Sequence, residues 1–128
     1  MAKKILIVED NERNRLLMVD ILKYYGYDVM EASDGEPGLK MAREQKPDLI
    51  FLDMQMPQMD GFAFIQRFKS EPALKNVKVI VVTSFAMKGD KEKILALGAD
   101  DYIPKPIDTR LLPKLVEKYI GPSGKVLP

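Results

Sequence analysis

The chain has 128 residues, 46% of them apolar and 30% charged, with a formal net charge of +1 and no cysteine, histidine or tryptophan. A domain of this length buries roughly two-thirds of the surface its unfolded chain exposes, so it needs no disulfide or metal staple. The composition excludes thiol nucleophiles, zinc–thiolate sites and any histidine-based triad, leaving carboxylates, lysine, hydroxyls and backbone groups to carry chemistry.

The balance of 20 basic against 19 acidic residues gives no nucleic-acid footprint. Apolar runs fall far short of the ~20 residues a membrane helix needs. Met1-Ala2-Lys3-Lys4 leads straight into a strand-like segment with no signal-peptide core. A cytoplasmic protein that contacts neither nucleic acid nor membrane is the expectation.

The first apolar segment is Ile5–Val8, and the spacing that follows predicts a helix over Asn11–Tyr25. Leu17, Ile21 and Tyr24 share one of its faces and Met18, Leu22 and Tyr25 an adjoining one, with Gly26 as the stop. Asp28–Ala32 alternates, as suits an edge strand, and Ser33-Asp34-Gly35 caps a helix over Glu36–Gln45, with Leu39 and Met41–Ala42 inward. Leu49–Leu52 is unbroken apolar sequence, after which Asp60 caps Gly61–Ser70, expected to bury Phe62, Ile65 and Phe68. Val79–Thr83 precedes a helix over Asp90–Leu97, with Ile94, Leu95 and Leu97 on it and Gly98 at its end. After the short segment Tyr102–Ile103, Asp108 is expected to cap a last helix carrying Leu111, Leu112, Leu115, Val116 and Tyr119. Pro113 is awkward there, because inside a helix it removes a hydrogen bond unless the helix starts late or opens on a tighter turn.

Five strand–helix repeats imply a parallel α/β sheet with right-handed crossovers and helices on both faces. Nearly unbroken apolar runs in the first, third and fourth segments suit strands covered on both sides. The expected fold is a flavodoxin-like doubly wound five-stranded sheet of order 2-1-3-4-5. Residues 1–121 form its single domain, and 122–128 are a tail or linker stub.

The polar residues fall where such a sheet binds ligands, outside the carboxyl ends of the strands. Strand one ends in Glu9-Asp10, strand three in Asp53, strand four in Thr83-Ser84, and strand five leads to Lys105. If strands one and three are neighbours ~4.8 Å apart, three acids converge, with Thr83 and Lys105 beside them. Clustered carboxylates raise one another's pKa, a conflict that a divalent cation resolves, and oxygen-only ligands favour Mg²⁺. A metal, a lysine and a hydroxyl around one aspartate make a phosphoryl-binding site, and Asp53 is the best nucleophile available. Each residue alone has an ordinary structural reading: Glu9-Asp10-Asn11 as a helix cap, Asp53 as a turn residue, Thr83-Ser84 as a strand end, Lys105 as surface. Four strand ends supplying complementary groups to one place is the stronger reading. Met54, Met56 and Met59 are expected to pack the loop after strand three.

At this point the sequence resembles the receiver domain of two-component response regulators along essentially its whole length. The resemblance rests on ILIVEDN (5–11), PDLIFLDMQMPQMDG (47–61), VIVVTSFAMKGD (79–90) and ADDYIPKPID (99–108), in this order. Thr83–Asp90, with Asn11 and Asn14, is closest in style to single-domain regulators of the DivK kind and to hybrid-kinase receivers.

The resemblance implies that Asp53 is the phosphoacceptor. It further implies that Mg²⁺ is held by Asp10, Asp53 and the Gln55 carbonyl, with Glu9 acting through water. Lys105 would grip the phosphoryl group ahead of a cis bond to Pro106, and Thr83 and Tyr102 would form the switch pair. The donor would be a histidine kinase or histidine phosphotransfer protein, docked on the first helix and the loop after Lys105. The readout face would be helix 4, strand 5 and helix 5, near Lys91, Ile94, Leu95, Tyr102 and Leu112. Gln55 and Phe85 occupy the positions that set phosphoryl lifetime in this family. An apolar Phe85 hinders an attacking water, so slow autodephosphorylation is expected, and loss within seconds would contradict it.

Three competing readings stay open. A small aspartyl-phosphate hydrolase needs the same groups, but carries a second aspartate where Gln55 stands and a cap domain for which there is no room. A flavin or nucleotide module would want a glycine-rich phosphate loop, and neither GxGxxG nor GxxxxGK[ST] is present. A binding scaffold without phosphorylation is disfavoured by the presence of every key side chain. The start at Met1 and the stop after a capped helix suit a freestanding regulator better than a receiver excised from a hybrid kinase or multidomain regulator.

Overall fold

The computed structural model describes residues 3–56, 60–84 and 88–123. Five strands, β1 (Lys4–Val8), β2 (Asp28–Ala32), β3 (Leu49–Asp53), β4 (Lys78–Thr83) and β5 (Asp101–Pro104), pair in parallel in the order β2-β1-β3-β4-β5. Between and after them run α1 (Glu12–Tyr24), α2 (Gly35–Gln45), α3 (Gly61–Lys69), α4 (Lys88–Ala96) and α5 (Leu111–Ile120), and a 3₁₀ turn at Pro72–Leu74 precedes β4.

Alternation along the central strands builds two cores. Leu6, Val8, Ile50, Leu52, Val79 and Val81 face α2, α3 and α4 through Leu39, Ala42, Phe64, Phe68 and Ile94. Ile5, Ile7, Leu49, Phe51, Ile80 and Val82 face α1 and α5 through Met18, Leu22, Leu112 and Val116. Both faces of β1, β3 and β4 are therefore dry, which is why those strands read as continuous apolar runs. β2 at the edge exposes Asp28 and Glu31, as its alternating sequence anticipates.

Several side-chain placements differ from the sequence reading. α1 buries Met18, Val19 and Leu22, while Leu16, Leu17 and Tyr24 stand in solvent, Tyr24 at 56% exposure. The stripe Leu17–Ile21–Tyr24 has helical spacing but lies one step round the helix from the sheet. Phe62 is 44% exposed, and Phe64 takes the core position beside Ile65 and Phe68. On α4 Ile94 is buried, whereas Leu95, and Leu97 just after the helix, are exposed.

The difficulty with Pro113 is resolved by a late start. α5 begins at Leu111, so Pro113 occupies a first-turn position whose N–H would have no helical acceptor. Asp108 is accordingly not the N-cap. Its Oδ1 accepts the Arg110 N–H at 3.0 Å and its carbonyl accepts the Leu111 N–H, forming a turn ahead of the helix. After Gly121 the chain folds back: Tyr27 donates its hydroxyl to the Gly121 carbonyl at 3.1 Å, and Ser123 donates to the Tyr25 carbonyl.

Gly61 marks a close approach. It opens α3 directly beneath the end of β3, and its N–H donates to the Met54 carbonyl at 3.1 Å. A Cβ there would collide with Met54 Sδ and lie 2.8 Å from Met54 Cα. Gly61→Ala should therefore destabilise the domain by about 1–3 kcal/mol through forced backbone displacement, as read from urea unfolding. An unchanged midpoint would show that the loop gives way freely.

Candidate functional site

Pairing of β1 with both β2 and β3 places residues 9, 10 and 53 at one end of the sheet, since Val8 is in register with Leu52. β4 adds Thr83, one residue beyond Val82, which is opposite Asp53. β5 adds Lys105 through the Lys105 N–H, which donates to the Thr83 carbonyl at 2.8 Å. The peptide bond from Lys105 to Pro106 is cis.

Glu9 and Asp53 are each 1% exposed and Thr83 is fully buried, whereas Asp10 is exposed. Lys105 Nζ lies 3.2 Å from Asp53 Oδ1 and 3.5 Å from Glu9 Oε1, bridging the two buried acids. Backbone donors take part as well: the Gln55 N–H donates to Asp53 Oδ1 at 3.1 Å and the Asn11 N–H to Glu9 Oε1 at 3.3 Å. The other two oxygens, Glu9 Oε2 and Asp53 Oδ2, are buried and face no donor among the described residues.

This imbalance shows in the acid–base chemistry. Burial, an adjoining Asp10 carboxyl and the Glu9 charge push the Asp53 carboxyl up to about 7, against the opposing pull of the Gln55 N–H and Lys105. Burial works against the Lys105 charge, but Glu9 and Asp53 outweigh it and raise the lysine above its usual value, so it stays cationic.

Glu9, Asp10 and Asp53 each offer a carboxylate oxygen, and these oxygens lie within 4.8 Å of one another, so the group could hold a metal ion. All-oxygen donors, two of them with a buried oxygen lacking a donor, fit a hard divalent cation such as Mg²⁺. Gln55 is exposed at the same strand end. Phe85 and the methionine Met59 lie outside the described residues, whereas Met54 and Met56 are buried in the loop as expected.

Of the expected switch pair, Thr83 ends β4 inside the site. Tyr102 is half-buried on β5, with its ring 5.3 Å from Lys91 Nζ. On the expected readout face Lys91 and Leu95 are exposed, but Ile94 and Leu112 are core residues. Leu111, one position earlier than Leu112, is the exposed leucine of α5.

One participant has no sequence signal. Arg15, on α1, donates from Nη1 to the Glu9 carbonyl at 3.0 Å and from Nε to Glu31 Oε1 at 2.9 Å. An arginine one turn into a helix resembles any surface arginine until β2 is set beside β1.

The profile of the response regulator receiver domain family matches residues 5–117. The polar-differentiation response regulators DivK of Brucella anthropi and Brucella ovis are each 40% identical over 121 residues, spanning 94% of this chain and 98% of theirs. Among solved structures, chemotaxis protein CheY4 of Vibrio cholerae superposes with a TM-score of 0.88 at 28% identity, covering 94% of this chain and 100% of that one. The receiver domain of sensor histidine kinase PA1611 from Pseudomonas aeruginosa PAO1 gives 0.86 at 30% identity, covering 94% and 99%. That structure carries a magnesium ion coordinated in its active-site cleft. The fold, the acidic strand end and these matches agree: the chain belongs to the response regulator receiver domain family and is a regulator of two-component signalling.

Proposed function

We propose that the chain is a Mg²⁺-dependent phosphoryl acceptor in which Asp53 takes the phosphoryl group from a partner phosphohistidine. One observation carries this reading. Asp53 is buried at the end of β3 with one oxygen held by Lys105 and Gln55 and the other facing no donor among the described residues, beside two more acids. Receiver domains take phosphoryl groups from histidine kinases, and these 128 residues hold no histidine to serve as the donor.

Asp10, Asp53 and the Gln55 carbonyl would hold Mg²⁺, with Glu9 acting through water. When bound, the ion supplies positive charge that keeps Asp53 ionised and draws an incoming phosphoryl group. The Asp53 carboxylate attacks phosphorus as the bond to the donor imidazole breaks. Lys105 stays charged throughout and neutralises a phosphoryl oxygen, so the domain contributes positioning and electrostatics. The Thr83 hydroxyl then turns toward the phosphoryl group and Tyr102 moves inward, biasing a two-state equilibrium.

Exposed Leu17 and Tyr24 on α1 suit the docking of a donor protein. Exposed Lys91, Leu95 and Leu111, with Tyr102 between them, suit a downstream partner on α4, β5 and α5. The domain accepts one phosphoryl group per molecule and releases it slowly, unlike a turnover hydrolase.

The test is intact mass after incubation with acetyl phosphate, with and without Mg²⁺, on wild type and Asp53→Asn. A Mg²⁺-dependent phosphoryl adduct absent from the variant is the expected result. Sustained phosphate release would instead favour a hydrolase. Failure with both acetyl phosphate and a purified histidine kinase would favour a binding scaffold.

A further inference from the structure

Residue 9 is tied to the edge of the sheet twice. Its N–H donates to the Ala32 carbonyl at 3.0 Å, and its carbonyl accepts from Arg15, whose guanidinium is held in turn by Glu31 on β2. The Arg15 side chain is only 15% exposed, and its two contacts use two separate nitrogens of one rigid plane. Among the described residues, the other cross-element arginine bridges, Arg43 to Glu71 and Arg67 to Glu36, join side chains to side chains on the surface.

The turn that Arg15 holds carries a conflict. Glu9 is a buried acid beside Asp53 with an oxygen facing no donor among the described residues, so an outward swing of this turn would hydrate the carboxylate. A donor on the Glu9 carbonyl opposes that movement. The same guanidinium also brings positive charge toward the acid cluster, which would repel a divalent cation, and the Glu31 carboxylate offsets it.

We propose that Arg15 and Glu31 form a positioning clamp that fixes the Glu9–Asp10 turn for divalent-cation binding, with Glu31 also cancelling the arginine's charge. The proposal rests on the reading of Glu9, Asp10 and Asp53 as a Mg²⁺ site. Arg15 touches no reacting atom; it acts through the backbone of residue 9.

Calorimetric titration with MgCl₂ and amide hydrogen exchange in EDTA test it, on wild type, Arg15→Lys, Glu31→Gln and the remote control Arg43→Lys. A lysine keeps the charge but cannot span both acceptors, and Glu31→Gln leaves the arginine uncompensated. Each should raise the Mg²⁺ Kd about tenfold. Each should also speed exchange of the Glu9 and Asn11 amides about threefold or more, while Arg43→Lys changes neither.

A Kd and exchange rates within twofold of wild type in both variants would reduce the pair to a surface bridge and overturn the proposal. Faster exchange with an unchanged Kd would overturn its link to the metal. A matching Kd loss in Arg43→Lys would mark a global effect and overturn it as well. If wild type itself binds no Mg²⁺, the metal reading has failed, and exchange in EDTA still decides whether the clamp exists.

Discussion

Asp53→Asn should make the metal-free domain more stable at pH 8, by about 1–3 kcal/mol, while abolishing phosphorylation. The reason is the buried Asp53 carboxylate, whose Oδ2 faces no donor among the described residues and whose neighbours include Glu9 and Asp10. The carboxyl titrates near 7 in the folded domain and near 3.8 when unfolded. A folded pKa raised in this way means the folded state binds the extra proton. Its stabilising effect is complete below about 3.8 and is lost as pH rises through about 7.

Urea unfolding in EDTA from pH 8 down to 5 should therefore show wild type gaining on Asp53→Asn, with the two approaching each other at the acid end. Mg²⁺ should narrow the gap at pH 8, since a ligand bound only by the native state stabilises it. Parallel curves across this range would show that Asp53 is solvated in the native state and that the donor-free oxygen is filled by water.

Lys105→Met should act in the opposite sense. Lys105 Nζ is the cation shared by Asp53 and Glu9, at 3.2 and 3.5 Å, and methionine keeps the stem while removing the charge. Two buried carboxylates then face each other without it. The expected loss is about 2–3 kcal/mol at pH 8 in EDTA, shrinking toward pH 5 as Asp53 takes a proton. Phosphorylation by acetyl phosphate should slow by roughly 100-fold, since the lysine neutralises charge that develops on the transferring group.

In the double variant Asp53→Asn/Lys105→Met the asparagine should gain more stability than it does in the wild-type background, because removing one acid then also relieves the repulsion the lysine had masked. That non-additivity distinguishes an electrostatic role from simple packing of the lysine stem. An equal gain from the asparagine in both backgrounds would assign the lysine's effect to packing.

The strands, their parallel pairing and the end of the sheet that carries the site were legible in the sequence for one reason. A strand covered on both faces must be apolar throughout, so the first polar residue marks its end. Val8 to Glu9, Leu52 to Asp53 and Val82 to Thr83 are such transitions, and an open parallel sheet gathers those ends together. Helix faces were less legible, because helical period alone leaves the rotation about the axis undetermined. Leu17, Ile21 and Tyr24 satisfy the period as well as Met18 and Leu22, and only the direction in which the chain leaves β1 turns the second set onto the sheet. Phe62 and Phe64 differ in the same way, two positions apart on one helix with opposite fates.

The arrangement within the site was decided by tertiary structure. Which oxygens of Glu9 and Asp53 Lys105 holds, and which face no donor among the described residues, depends on where the loop after β5 places one ammonium group. The Arg15 contact exists because β2 lies on the outer side of β1 and carries Glu31 within reach of α1. Composition and periodicity determined which groups this protein brings to one sheet edge. Their pairing, and with it the Asp53 carboxyl near 7, required the packed strands, because hydrogen bonds and desolvation act over a few ångströms that no sequence spacing specifies.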